Sequence, residues 1–236
     1  MIKAVFFDLG GTLLVMRRHR ILQRVLRDEG YKVSLKAIRA SYADMEPIWL
    51  DHYSRHSAAG RDSTEAYRQL DVMVIGRLRI TKSARKVEKL SWLVRDRWDE
   101  IGKIIRPELY PDAKPVLSKL TSLGLGLALV TNAPPDTSKT VEELGLPEYI
   151  KNVVISGIVG YSKPNPEIFR IALSKASVQP HETIHVGDVY ASDIVGARNA
   201  GIMGVLLDRD RISKRNDCPT IHSLPEVLPL LHNRAR

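Results

Sequence analysis

A run of β-branched and aromatic residues that ends abruptly in a carboxylate and two glycines, Lys3-Ala4-Val5-Phe6-Phe7-Asp8-Leu9-Gly10-Gly11-Thr12-Leu13, constrains this chain more than any other stretch. Successive apolar residues without polar alternation suit a strand buried on both faces of a parallel sheet. Gly10-Gly11 then marks a tight loop. Asp8 falls at the carboxyl end of the strand, the edge at which open α/β sheets hold their ligands. Whether that carboxylate is a site or only a turn depends on the residues that later strands bring to the same edge.

Between about residues 15 and 105 the strand-like runs vanish, and apolar residues recur at helical spacing. Ile21, Leu22, Val25 and Leu26 form one apolar face, Val72, Val74, Ile75 and Leu78 another, and Val87, Leu90, Leu93 and Val94 a third. About four helices are expected, with breaks at Glu29-Gly30, Ala59-Gly60 and Arg79 to Thr81, the last leaving Thr81 or Ser83 as an N-cap.

From Pro107 onwards strand and helix alternate. Strands are expected at Leu125 to Val130, Val153 to Ile155, Thr183 to Val186 and Met203 to Leu207. Helices are expected at Ala113 to Leu123, Thr137 to Leu144, Pro166 to Ala176 with Asn165 as N-cap, and Ile194 to Ala200, with Leu224 to Leu231 closing the chain. Such alternation specifies right-handed βαβ units and a parallel sheet covered on both faces. The expected fold is therefore an α/β, Rossmann-like doubly wound parallel sheet core, residues 1–14 and 106–236. A helical domain, residues 15–105, interrupts it after the first strand.

Composition narrows the setting. The chain has 236 residues and is 44% hydrophobic, enough for a normal core. Its single cysteine, Cys218, cannot form an intrachain disulfide. With no signal-like amino terminus and no apolar run near the roughly 18 residues of a membrane span, a cytoplasmic protein without membrane association is expected. The net charge of +9 favours anionic partners. Basic and acidic residues are interspersed and no nucleic-acid-binding motif is present, which argues against nucleic acid and for a small anion.

The strand ends now line up. Asp8 ends the first strand and Thr131, with Asn132, ends another; Lys163 precedes a helix amino terminus; Asp188 ends a third strand with Asp193 five positions on. In a parallel sheet these ends share one edge, so a hydroxyl, a lysine and three carboxylates converge into a plausible site for a divalent cation and a phosphate.

With these residues in order, the sequence resembles the haloacid dehalogenase superfamily of hydrolases. The superfamily pattern is Asp-x-Asp-Gly-Thr, a Ser or Thr, a Lys, and Gly-Asp-x-x-x-x-Asp. Here it reads Asp8-Leu9-Gly10-Gly11-Thr12, Thr131, Lys163-Pro164 and Gly187-Asp188 to Asp193. The resemblance implies that the helical insert is a type-one cap and that Asp8 is a nucleophile forming an aspartyl-phosphate. It implies Mg²⁺ held by Asp8, the Gly10 carbonyl and Asp188, with Asp193 ligating or holding a metal-bound water. Lys163 would balance charge, and Thr131 with the backbone amides of Leu9 to Gly11 and Asn132 would bind the phosphoryl oxygens.

One position departs from the pattern. The superfamily's phosphatases place an acid–base aspartate where this chain has Gly10. Glycine can still offer its backbone carbonyl, with freedom to turn it, but it cannot move a proton. The reading is a phosphatase acting on a small phosphorylated metabolite, with proton transfer supplied elsewhere, for instance by His19 or by the substrate. The alternatives are haloacid dehalogenase-type or phosphonate hydrolase chemistry, whose enzymes also lack that aspartate, and a low-turnover binding protein.

The insert carries 20 Lys and Arg against 12 Asp and Glu between Val15 and Ile105, which suits an anionic substrate. Of Arg17, Arg18, His19 and Arg20, which directly succeed the loop, Arg17 and His19 are the expected substrate contacts. Trp49, Tyr53, Trp92 and Trp98 suit the insert's own core or a homodimer surface, and the chain is expected to be a monomer or homodimer. His52 and His56 share helical spacing but lack a third ligand. His185 reads as a core histidine, Cys218 as unreactive, and Asp208 to Asp217 as an exposed loop.

Overall fold

The computed structural model describes residues 1–58, 63–98, 100 and 107–231; the side chains of residues 46, 47, 49–58, 63, 64 and 66 lie outside that description. Contacts divide the chain into two compact units, Met1–Val15 with Pro107–Arg236, and Met16–Arg106. The chain opens with strand β1 (Ala4–Phe7) and then enters the second unit.

That unit is helical where described. Helix α1 (Arg17–Asp28) buries Ile21, Leu22, Val25 and Leu26. Helix α2 (Leu35–Ala58) begins where the Ser34 hydroxyl accepts the Ala37 amide at 3.1 Å. Helix α3 (Ser63–Leu78) buries Val74 and Ile75. Helix α4 (Ala84–Asp96) is capped by Ser83, which accepts from the Lys86 amide at 3.3 Å, and buries Leu90 and Val94. Among these apolar faces sits a polar knot. Asp71 on α3, 2% exposed, accepts from Arg18 Nε at 3.0 Å, Arg18 Nη2 at 2.7 Å and the Tyr42 hydroxyl at 2.5 Å. Arg18 also donates to the Tyr67 carbonyl at 2.6 Å, and its guanidinium lies 4.7 Å from the Tyr67 ring and 5.5 Å from the Trp98 ring. Trp92 is half exposed beneath the Arg68 guanidinium. The side chains of Trp49, His52, Tyr53 and His56 lie outside the described residues.

The α/β unit continues through α5 (Ala113–Ser122), β2 (Gly126–Thr131), α6 (Thr137–Glu143), β3 (Asn152–Ile155) and the single turn α7 (Ser156–Val159). It ends with α8 (Pro166–Ala176), β4 (Thr183–Gly187), α9 (Val195–Asn199), β5 (Met203–Leu207) and β6 (Thr220–Ile221). The six strands form one parallel sheet in the order β3-β2-β1-β4-β5-β6. β1 is central: Ala4 pairs with Gly126 on one side and Thr183 on the other. The chain builds outward from β1 through β2 and β3, then returns to β4 on its other side. The β1/β4 pair is thus the switch point at which open α/β sheets form their crevice.

The apolar run at residues 4–7 serves both faces because side chains alternate along a strand. Val5 and Phe7 pack with Leu117, Leu120 and Val227, whereas Ala4 and Phe6 pack with Ile168, Phe169 and Ala172. Helix α8 starts as its sequence specifies, with the Asn165 side chain accepting from the Glu167 amide at 2.9 Å and Pro166 at the first position. Two features depart from expectation. The segment before α9 is a π-helical turn over Tyr190–Ile194, and a two-residue strand, β6, succeeds the charged 208–217 stretch. Neither is long enough to impose a periodicity on sequence.

Candidate active site

The carboxyl ends of β1, β2 and β4 bring the expected residues together. β1 and β4 are in register from Ala4 with Thr183 to Phe7 with Val186, and the Asp8 amide extends the ladder to the Val186 carbonyl at 2.9 Å. Asp8 therefore leaves β1 directly beside Gly187-Asp188 at the end of β4. Carboxylate oxygens of Asp8, Asp188 and Asp193 lie within 4.8 Å of one another. Three like charges are held this close only at a cost, unless a cation sits among them.

Part of that cation is built in. Lys163, 2% exposed, places Nζ 2.6 Å from Asp8 Oδ1 and 2.6 Å from Asp193 Oδ1. Its position is fixed through the backbone, because the Asn132 side chain donates to the Lys163 carbonyl at 2.8 Å and accepts from the Lys163 amide at 2.7 Å. Asn132 thus does more than offer its own amide: it joins the loop after β2 to the loop carrying Lys163, across a cis peptide at Lys163-Pro164. Thr131, the last residue of β2, is buried at the same edge.

The charges settle unequally. Burial pushes the Asp8 carboxyl up to about 6, against the pull of Lys163 and with the repulsion of Asp193 adding to it. Burial acts on Asp193 too, but Lys163 and then His185 outweigh it and hold that carboxyl well below the usual range. Burial opposes the Lys163 charge, yet Asp193 and Asp8 hold the ammonium protonated beyond its ordinary value.

Glycines make the room. Gly11 takes a left-handed φ of 84°, and a Cβ there would fall 2.0 Å from Asp188 Oδ2. A Cβ at Gly187 would fall 2.2 Å from Asp193 Cγ. The conformational freedom expected of Gly10 is therefore used at its neighbour: Gly10 lies outside the left-handed region, forming a bridge with Leu14. Thr12 extends the loop toward the carboxylates, with Oγ1 3.4 Å from Asp188 Oδ1.

A family model described as haloacid dehalogenase-like hydrolase matches residues 2–201. The chain belongs to that family. It is 30% identical over 227 residues to a glyceraldehyde 3-phosphate phosphatase of Methanopyrus kandleri, covering 92% of this chain and 90% of that protein. It is 44% identical over 107 residues to a phosphoserine phosphatase of Thermus thermophilus, covering 44% of this chain and 42% of that relative, so less than half of that relative's length is spanned. Among solved structures, an L-2-haloacid dehalogenase of Xanthobacter autotrophicus superposes over all of both chains with a TM-score of 0.65 at 20% identity, a likeness of fold.

In this haloacid dehalogenase-like hydrolase, two further residues of the α/β unit contact the carboxylates or the loop after β1 without being marked by the sequence pattern. His185, in the middle of β4, has Nε2 3.0 Å from Asp193 Oδ1; its position inside an apolar strand is the available signal. Arg209, after β5, donates to the Thr12 carbonyl at 2.9 Å and grips both oxygens of Asp112 at 2.9 and 3.0 Å, with its guanidinium 3.8 Å from the Tyr110 ring. Nothing in the charged 208–217 stretch distinguishes it. The expected substrate contacts Arg17 and His19 belong to α1 of the helical unit, where both are half-buried. The His19 ring rests on Tyr42 with centroids 4.7 Å apart, and burial, with the charges of Arg39 and Arg18, pushes it down to about 3. At neutral pH it is an imidazole, so it carries no imidazolium proton for a leaving group.

Proposed function

We propose that this chain is a Mg²⁺-dependent phosphatase of small phosphorylated metabolites, with Asp8 as nucleophile. The observation that carries the reading is the buried Lys163 ammonium shared equally between Asp8 and Asp193, with Asp188 completing a cluster of hard oxygen donors at the switch point. Three carboxylates in that spacing fit a small divalent cation that prefers oxygen ligands. Asp8, Asp188 and the Gly10 carbonyl would hold it, with Asp193 behind them. Bound there, Mg²⁺ would screen Asp8 from the incoming phosphate and stabilise charge on the phosphoryl oxygens.

The chain's own residues supply the rest. An Asp8 oxygen forms the bond to phosphorus while the ester P–O bond breaks, its electron pair leaving on the alcohol oxygen. Lys163 holds Asp8 in place and balances the phosphoryl charge, and Thr131 with the amides of Gly10 and Asn132 donates to the phosphoryl oxygens; the Leu9 and Gly11 amides expected to join them are taken by the Asp8 carboxyl and, at 2.8 Å, by the Leu14 carbonyl. Water then attacks phosphorus, releasing phosphate and restoring the Asp8 carboxylate. Position 10 offers no carboxyl to protonate the leaving oxygen, so that oxygen departs on its own acidity or on a proton the substrate brings. The helical unit, with its excess of Lys and Arg, acts as the specificity cap.

Steady-state hydrolysis of a series of aryl and alkyl phosphates in Mg²⁺, with a 2-haloacid as control, tests this. The rate is expected to fall steeply as the leaving-group pKa rises, and Asp8→Asn is expected to abolish it. A flat dependence would show that the missing acid has been replaced. Full activity in Asp8→Asn would remove the nucleophile, and halide release from the control would favour the dehalogenase.

A further inference from the structure

His185 is an expensive residue where it stands. It is fully buried in the centre of the sheet, paired with Phe6 of β1 and Gly204 of β5, and flanked in sequence by buried Ile184 and Val186. Phe169 meets it edge-on with centroids 5.0 Å apart. An aliphatic or aromatic side chain would fill this space without desolvating a polar ring. What the imidazole adds is one contact, Nε2 to Asp193 Oδ1 at 3.0 Å.

That contact fixes the ring's protonation pattern. Asp193 Oδ1 already accepts from the Lys163 ammonium at 2.6 Å, as a carboxylate oxygen does, and accepts from the ring as well, which makes Nε2 the donor. The other nitrogen, Nδ1, is buried without a hydrogen-bond partner. A proton there as well would bury an unpaired N–H on a cation, whereas a bare lone pair costs less. The ring is therefore the neutral Nε2–H tautomer.

Asp193 in turn is gripped from three directions. Oδ1 accepts from Lys163 Nζ at 2.6 Å and from His185, while Oδ2 accepts from the Val189 amide at 3.0 Å. Without His185, Oδ1 has the Lys163 ammonium as its sole partner among these donors, and Lys163 is the group that Asp8 also needs.

We infer that His185 is a positioning residue of the active site: its Nε2–H holds Asp193 Oδ1 from the sheet side, which keeps Lys163 shared with Asp8 and the carboxylate cluster set for a divalent cation. The inference rests on the Mg²⁺-phosphatase reading for its consequence, though not for its geometry. Partners that orient a metal site's carboxylates from behind typically change metal affinity or activity about 10- to 100-fold when removed.

The test uses the full chain. Nitrogen-15 NMR of the wild-type histidine rings is expected to show His185 as the Nε2–H tautomer. Calorimetric titration with Mg²⁺ is expected to show about tenfold or greater weakening in His185→Leu, with recovery of most of the affinity in His185→Gln, whose amide nitrogen reaches the same place. With p-nitrophenyl phosphate, His185→Leu is expected to lower kcat by a similar factor and to move KM less. An Nδ1–H ring in the wild type overturns the inference even if His185→Leu fails to fold. So does a folded His185→Leu whose Mg²⁺ affinity stays within twofold of wild type. A wild-type chain that binds no Mg²⁺ sinks both readings. A chain that binds Mg²⁺ in this His185-dependent way and cleaves no phosphate ester sinks the phosphatase alone.

Discussion

Gly10 and Gly11 look alike in sequence and do opposite things. Gly11 is irreplaceable on two independent grounds, a φ of 84° and an Asp188 oxygen 2.0 Å from where a Cβ would sit. Gly11→Ala is expected to displace Asp188 and abolish measurable Mg²⁺ binding in calorimetry; unchanged affinity would mean that Asp188 is no ligand. Gly10 has no such backbone demand, since it lies outside the left-handed region. A carboxyl can therefore be tried there. Gly10→Asp is expected to raise kcat on alkyl phosphates by about 10² or more, the usual worth of a positioned general acid, and to change aryl phosphates far less. Equal effects on both classes would show that proton donation was never missing. Sequence pattern alone marks position 10 as the departure, but only backbone geometry shows which of the two glycines bears the strain.

At the scale of elements, the strand ends were legible because burial on both faces of a parallel sheet leaves continuous apolar runs such as Ala4–Phe7 and Leu127–Val130, and each stops at a candidate site residue, Asp8 or Thr131. Two-residue β6 and the π-helical turn carrying Asp193 leave no such signature. Nor does Asn132's double bond to the Lys163 backbone, which joins loops 31 residues apart. Helical spacing likewise located the apolar faces of α1, α3 and α4 but not the charge inside them. Asp71 occupies α3 as an acidic residue one position before Val72, and only the fold reveals that it is buried with Arg18 and Tyr42. Breaking a buried pair by removing one partner leaves the other uncompensated. Asp71→Ala is expected to destabilise the helical unit by about 3–5 kcal/mol, seen as a lowered denaturant midpoint. Replacing the exposed partner pair Arg77 and Asp44 is expected to cost under about 1 kcal/mol. A similar cost for both would mean that burial of Asp71 contributes little.

Across the whole molecule, histidines tie both units to pH in the same sense. His19 in the helical unit is held near 3 in the folded chain, below its ordinary 6.5, and burial also lowers His185 in the α/β unit. A histidine whose folded value is depressed binds its proton in the unfolded chain first. Between about pH 6.5 and 3 the unfolded state therefore carries more protons, and stability falls as pH falls through that window. One such proton contributes a slope of at most about 1.4 kcal/mol per pH unit. Asp8 works the other way: its carboxyl, raised from 3.8 to about 6, favours the folded state as pH falls from about 6 toward 3.8. The two opposing contributions overlap, so the net acid limb of the wild type does not identify either. Substitution separates them. His19→Leu cannot take up the proton, and its stability curve from about pH 6.5 to 4 is expected to be shallower than wild type by up to that slope, whatever its absolute stability. Asp8→Asn removes the opposing contribution and is expected to steepen the same limb between about pH 6 and 4. Parallel curves for His19→Leu and wild type would show that the α1 histidine is not held neutral, and would reopen it as the proton donor that Gly10 does not supply.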